Sequence, residues 1–422
     1  MKLNAMPGPD DTTRVVLDNG LVLLIRENHA APVVAVEGYI PAGSVHEPAD
    51  KAGLANFVAA MLTRGSATYD FNAFNETIEG MGAHLGVGAS DHATSVSGTS
   101  LSEDFPTLMG VLADVVQRPT FPAQQMARVR SQTLVQIRER DEDTESVAML
   151  RFNEAVFGNH PYGLSGLGYA MTILAITRDD LLAYYATRYT PQGAVLSIVG
   201  DVATERVIAE VAAQWRDWQG PSPDRGIPPL TLLDAVRTQR FDLPGKTQAD
   251  LVIGSPAVAR PHPDYFAVRV ANTILGRFAM MGRLGEVVRE EMGLAYYVYS
   301  TQEAGSHTGV WYAAAGVNPA HVDQATAAIR DEFARLRDEP MGAEELADTQ
   351  AYLTGVLPLT LETNGGVAAT LLNMEWHNLG LDYLQRYNDL IYAVTPADVQ
   401  RVAQTYLRPD VYALVVVGPP QP

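Results

Sequence analysis

The chain has 422 residues, 47% of them apolar and 19% charged, an ordinary globular composition that excludes a largely disordered or collagen-like chain and favours two or more domains. Thirty Lys and Arg stand against 49 Asp and Glu, and the formal charge of −19 repels phosphate backbones, which argues against nucleic-acid binding. Cysteine is absent, so disulfides, thiolate zinc sites, iron–sulfur clusters and cysteine nucleophiles are excluded together.

In chain order, the start at residues 1–7 lacks the apolar core of a signal peptide, and no later apolar run reaches the ~20 residues that span a bilayer. The expectation is a cytosolic protein or a mature form whose signal was removed. Residues 14–27 predict a hairpin turning at Asp18-Asn19-Gly20, and residues 33–39 a further strand. Residues 50–64 predict a helix stopped by Gly65, and residues 122–157 carry a long helical pattern with a charged middle.

Residues 176–200 and 394–418 align without a gap at an offset of 218, with Thr177/Thr395, Asp180/Asp398, Pro191/Pro409 and Gly200/Gly418 identical. Each copy predicts a helix with Thr as N-cap and Asp three positions on, then a Pro-containing turn and an apolar strand. A single repeat of this length means a doubled domain, not a solenoid. The breaker-rich run that opens at Gly220-Pro221 marks the seam, giving halves at 1–219 and 232–422 joined by a linker at 220–231. Strands come first in each half, then helices, then a last strand. That order predicts an α+β fold: two homologous halves, each a mixed sheet with helices packed on one face.

The sequence resembles the pitrilysin/insulinase metallopeptidases, in the branch of the mitochondrial processing peptidase and its bacterial relatives. The resemblance runs from Leu17-Asp18-Asn19-Gly20-Leu21 through Ala42-Gly43-Ser44, Glu47 and Gly53, then His160-Pro161-Tyr162-Gly163, Gly200-Asp201 and Gly293-Leu294-Ala295-Tyr296. It implies two similar α+β halves forming half of a clamshell. It also implies an inverted zinc motif, His-x-x-Glu-His, whose two imidazoles bind the metal while the Glu acts as base. Here the corresponding helix reads Gly53-Leu54-Ala55-Asn56-Phe57-Val58-Ala59-Ala60. Asn56 and Ala60 stand at the ligand positions and Ala59 at that of the base, so this helix is expected to hold no metal. None of the nine histidines lies three or four residues from another, so none pairs on a helix face; His84 and His92 could meet across neighbouring strands. Glu139, Glu142 and Glu145 lie near the family's third ligand, but without His partners they read as a solvated helix face.

The second half keeps a segment that looks like the family's Arg and Tyr, seven residues apart: Arg289 and Tyr296. The resemblance implies that they hold the substrate backbone and stabilise the oxygen that gains negative charge. Taken singly, Arg289 reads as a surface ion-pair partner and Tyr296 as strand packing. The glycine-rich loop of the processing-peptidase alpha subunit is shortened here to residues 274–284 with two glycines, and Met280 and Met281 read as packing.

The expected function is therefore that of the zinc-less subunit of a bacterial heterodimeric metallopeptidase. It would hold no cofactor itself, would pair with a homologous zinc-bearing subunit and act on peptide substrates, in the periplasm in preference to the cytosol. The alternative is an inactive pseudo-peptidase serving as scaffold or peptide-binding module. An independent hydrolase is disfavoured, since no Gly-x-Ser-x-Gly elbow occurs.

Overall fold

Thr13–Val16 (β1) and Val22–Glu27 (β2) form the expected hairpin, closed by hydrogen bonds between Leu17 and Leu21 and between Gly20 and Leu17. The computed structural model describes residues 6–224, 226–231, 233–277 and 282–420. The remaining strands are β3 (Val33–Ile40), β4 (His84–Ala89), β5 (Thr94–Leu101), β6 (Val195–Gly200), β7 (Arg237–Asp242), β8 (Ala249–Ala257), β9 (Ala295–Ala304), β10 (Gly309–Val317) and β11 (Ala413–Gly418). They make a six-stranded sheet in the order β1-β2-β6-β3-β5-β4 and a five-stranded sheet in the order β7-β11-β8-β10-β9.

Leaving β1 aside, the two sheets have one topology. β2 lies parallel to β6 as β7 lies parallel to β11, and every other neighbouring pair is antiparallel in both. Both copies of the repeat carry the same helix start. Thr177 Oγ1 accepts from the Asp180 N–H while the Asp180 carboxylate accepts from the Thr177 N–H at 2.7 Å. Thr395 and Asp398 repeat this reciprocal box, with the second bond at 3.1 Å.

Contacts group the chain into two compact units, neither continuous in sequence. Unit one holds the residues up to 137 with 165–228 and 358–385; unit two holds 138–164, 229–357 and 386 onward. Each sheet thus takes a helix from the distant part of the chain. Thr144–Phe157 lies on the second sheet, with Ala148, Phe152 and Ala155 packed among Val252, Tyr312 and Val415. Asn364–Trp376 lies on β3 and β6, where Trp376 meets the Tyr39 ring edge-on at 5.2 Å and Asn364 donates to the Val33 carbonyl at 3.0 Å. Residues 122–157 form two helices instead of one continuous helix. The first, Ala123–Glu142, ends at Asp143, which leaves helical geometry and caps the second by accepting from the Ser146 N–H at 2.8 Å.

The core of unit one is built from Leu23, Ile25, Val34, Val36, Phe57 and Met61 with many others, and closes around Trp215 and Trp218. Residues 220–231 form neither helix nor strand where described. Among the described residues no helix is long and apolar enough to cross a membrane.

Candidate functional site

The degenerate motif lies on the helix Leu54–Leu62, shorter at its start than the sequence pattern predicts. Gly53 sits at φ +95°, a left-handed conformation that breaks the chain direction, and a Cβ there would come within 2.9 Å of the Leu167 carbonyl. Residues Ala49–Lys51 make only a separate tight turn. The first N–H groups of the helix find their acceptor in Glu47. Its two carboxylate oxygens accept from the Gly53 and Ala55 N–H groups, each at 2.8 Å. Glu47 is 8% exposed, and burial pushes its carboxyl up to about 7 against the pull of those N–H bonds.

On this fixed helix, Asn56 Nδ2 donates to the Gly166 carbonyl at 2.7 Å. Ala59 is buried at 1% exposure, and Ala60 packs partly buried against the core. The three positions therefore provide one amide, already engaged, and two methyl groups. These residues do not fit a zinc ion. Among the described residues no group of three His, Asp or Glu side chains is placed to hold a metal. His84 and His92 are not brought together: His84 opens β4 opposite Thr99, while His92 lies in the turn beyond Ala89 and Thr94 at the other end of that hairpin. Glu139 and Glu142 are exposed. Glu145 accepts from the Tyr299 hydroxyl at 3.3 Å, and burial raises its carboxyl pKa. His160 is a packing residue, 7% exposed, with Nδ1 accepting from the Tyr162 N–H at 3.3 Å and its ring 4.9 Å from that of Tyr162.

In unit two, Arg289 lies in a π-helical turn, Gly285–Glu291, not in a regular helix end. The wide turn shows in Met292 N–H donating to the Val287 carbonyl five residues back. Leu284 and Val288, both 0% exposed, fix it to the core. Gly293, at φ +62°, reverses the chain so that β9 can begin. The Arg289 side chain is 34% exposed, and its pair with Glu290 is long at 3.7 Å and solvent-exposed, hence weak. Tyr296 is 64% exposed at the head of β9, an edge strand of its sheet, so it does not act as core packing. Sequence reasoning missed Glu47 as a cap, because its acceptor role spans six and eight residues and fits no capping-box spacing. Met280 and Met281 lie outside the described residues.

The chain thus repeats one mixed-sheet topology, and the helix Leu54–Leu62, where the resemblance expects an inverted zinc motif, carries no metal ligand. Residues 22–168 match the model of insulinase, peptidase family M16, and residues 175–353 match that of the peptidase M16 inactive domain. A Bacillus subtilis chain described as the uncharacterized zinc protease YmxG is 25% identical over 411 residues, spanning 96% of this chain and 98% of that one. A probable mitochondrial-processing peptidase subunit beta from Schizosaccharomyces pombe is 26% identical over 435 residues, covering 98% of this chain and 92% of its own. The crystal structure of a peptidase M16 inactive domain from Pseudomonas fluorescens superposes with a TM-score of 0.90 at 26% identity, over 97% of this chain and 98% of that one. The chain belongs to peptidase family M16.

Proposed function

We propose that this chain is the zinc-less subunit of a heterodimeric metallopeptidase, and that it lends Arg289 and Tyr296 to a site whose metal a homologous partner holds. One contrast carries the reading. Asn56 is spent on the Gly166 carbonyl beside two alanines, whereas Arg289 and Tyr296 keep their polar groups available, the phenol without a hydrogen-bond partner among the described residues. The degenerate helix and the open donors support a reading in which the chemistry happens on a second chain. The similar chain named as a subunit of a processing peptidase supports an assembled form.

In this role the Arg289 guanidinium offers a planar fork of N–H donors to a peptide carbonyl, and the Tyr296 hydroxyl offers a second donor. Donors held in place are most effective where negative charge develops on the carbonyl oxygen. The metal, when bound in the partner, supplies polarisation and an activated water. Substrates are peptides or unfolded segments, and the periplasm is the proposed compartment. The linear halves 1–219 and 232–422 are the proposed units of duplication. The pseudo-peptidase scaffold would leave the exposed Tyr296 phenol without a purpose.

Two measurements on purified protein test the assembly. The isolated chain, prepared without chelator, should contain no stoichiometric zinc and cleave no peptide. Co-expressed with a family member carrying His-x-x-Glu-His, it should elute as a stable complex, since obligate interfaces bury more than ~2,000 Å². One tightly held zinc per isolated chain, or two chains that elute only as monomers at micromolar concentration, would refute the proposal.

A further inference from the structure

Tyr296 has no partner on the strand beside it. Gly316 of β10 faces Tyr297 and Val317 faces Ala295, so one step on β10 answers two on β9 and Tyr296 bulges from the ladder. A bulge bends its strand and re-aims a side chain.

The chain is anchored on both sides of this bulge. Before it, the Leu294 N–H donates to the Val288 carbonyl at 3.0 Å, which ties the head of β9 to the turn that carries Arg289. After it, the Tyr297 hydroxyl donates to Asp250 Oδ1 at 2.6 Å. Asp250 lies on β8 and is 1% exposed, and Gln248 Nε2 donates to the same oxygen at 2.8 Å. β8 and β9 are not neighbours, because β10 runs between them. The Tyr297 side chain crosses β10 at Gly316, where a Cβ would collide with Tyr297 Cε1. Burial raises the pKa of the Tyr297 phenol, so it remains a donor to the acid.

The first half of the molecule shows that the fold itself does not require this clamp. Val199 of β6 and Val417 of β11 correspond at the repeat offset of 218. The rows of paired residues through them are Val199-Ala35-Thr99-His84 in unit one and Val417-Asp250-Gly316-Tyr297 in unit two. A methyl group, a hydroxyl side chain and an exposed imidazole thus hold the places of the acid, the glycine and the phenol. β4 pairs with β5 from His84 onward without a register shift. Unit two keeps the acid although Asp250 Oδ2 is buried without a hydrogen-bond partner among the described residues. A buried carboxylate so incompletely satisfied costs stability. Bulge, acid, glycine and phenol occur together in the unit that carries Tyr296.

We propose that Asp250 and Tyr297 are positioning residues, which clamp the bulge so that the Tyr296 hydroxyl is held where a substrate carbonyl will lie. The inference deepens the proposed role of Tyr296 and rests on it. Neither residue needs to touch substrate. Both act by fixing the backbone on which Tyr296 stands, and a group displaced by about 1 Å can lose on the order of 10²-fold in rate.

Two measurements test this, one of them free of catalysis. In the isolated chain, amide hydrogen exchange over residues 294–298 should quicken about tenfold in Tyr297→Phe, with exchange in unit one unchanged. In the reconstituted, zinc-loaded complex, Tyr297→Phe should lower kcat about tenfold or more while KM moves little. Asp250→Ala, which installs the residue of unit one, should do the same. Asp250→Asn keeps an acceptor for the phenol and should retain most of the turnover. If the clamp acts through Tyr296, adding Tyr297→Phe to Tyr296→Phe should lower kcat no further. Wild-type exchange in Tyr297→Phe, equal losses in Asp250→Asn and Asp250→Ala, or a double variant in which the two losses multiply would overturn the proposal. A lowered kcat in Tyr296→Phe with wild-type kcat in Tyr297→Phe would overturn the positioning alone. Wild-type kcat in Tyr296→Phe would overturn it together with the oxyanion role.

Discussion

Replacing Glu47 by Ala removes the acceptor for two N–H groups at the start of the helix Leu54–Leu62. Both bonds are 2.8 Å long, and the residue is 8% exposed, so solvent cannot readily replace the lost oxygens. A buried polar group left without a partner costs about 1–3 kcal/mol, and two are orphaned here. Relief of the desolvation that raises the Glu47 pKa offsets part of that loss, leaving a net destabilisation of about 2–4 kcal/mol. In a unit of this size 1 kcal/mol moves the melting temperature by about 2–4 °C, so Glu47→Ala should lower the transition of unit one by roughly 5–12 °C. Differential scanning calorimetry at pH 7 measures it. A shift under about 2 °C would show that the helix start is held without this carboxylate, and the explanation for Glu47 would fail.

Glu37 is half-buried on β3, and burial alone pushes its carboxyl up to about 7 from 4.5. The folded state then binds more protons than the unfolded chain between those values. Its contribution is therefore fully present below 4.5 and lost as the pH rises through 7. After allowance for solvent screening, Glu37→Gln should remove about 1–2 kcal/mol of pH dependence, and identical melting-temperature slopes from pH 5 to 8 in both proteins would contradict this. Thr177→Ala and Thr395→Ala should each destabilise by about 1 kcal/mol, and the double variant should show their sum, because the two capping boxes lie in different units. Urea unfolding checks the sum, and a strong departure from additivity would mean that the caps share partners.

The repeat was legible because Thr177, Asp180, Thr395 and Asp398 encode their structure locally, through bonds three residues long. The hairpin at Asp18-Asn19-Gly20 and the strand holding Tyr296 were legible for the same reason. The exchange of helices Thr144–Phe157 and Asn364–Trp376 was not, since an apolar helix face does not state which of two similar sheets it will cover. Gly53 concealed the true start of the motif helix: apolar spacing continues back through a residue whose left-handed backbone keeps the helix from starting any earlier. The π turn around Arg289 was equally hidden, because Val287 and Val288 fit an ordinary helix until the bond from Met292 widens it. At the site itself, residue type alone disqualified Ala59 and Ala60. That Asn56 is turned to the Gly166 carbonyl depends on a contact 110 residues away.

The role of Arg289 and Tyr296 is tested most directly by the turnover of a reconstituted complex carrying Tyr296→Phe. Only the phenol oxygen is removed, from a side chain 64% exposed, so folding and assembly should be unchanged and the partner's zinc content should stay the same. If the hydroxyl stabilises the developing oxyanion, kcat on a quenched fluorescent peptide should fall ~10²–10³-fold while KM moves much less. Arg289→Lys, which keeps the charge and loses the planar fork, should also lower kcat. Wild-type kcat in a fully assembled, zinc-loaded Tyr296→Phe complex would contradict this role and leave the chain as a scaffold.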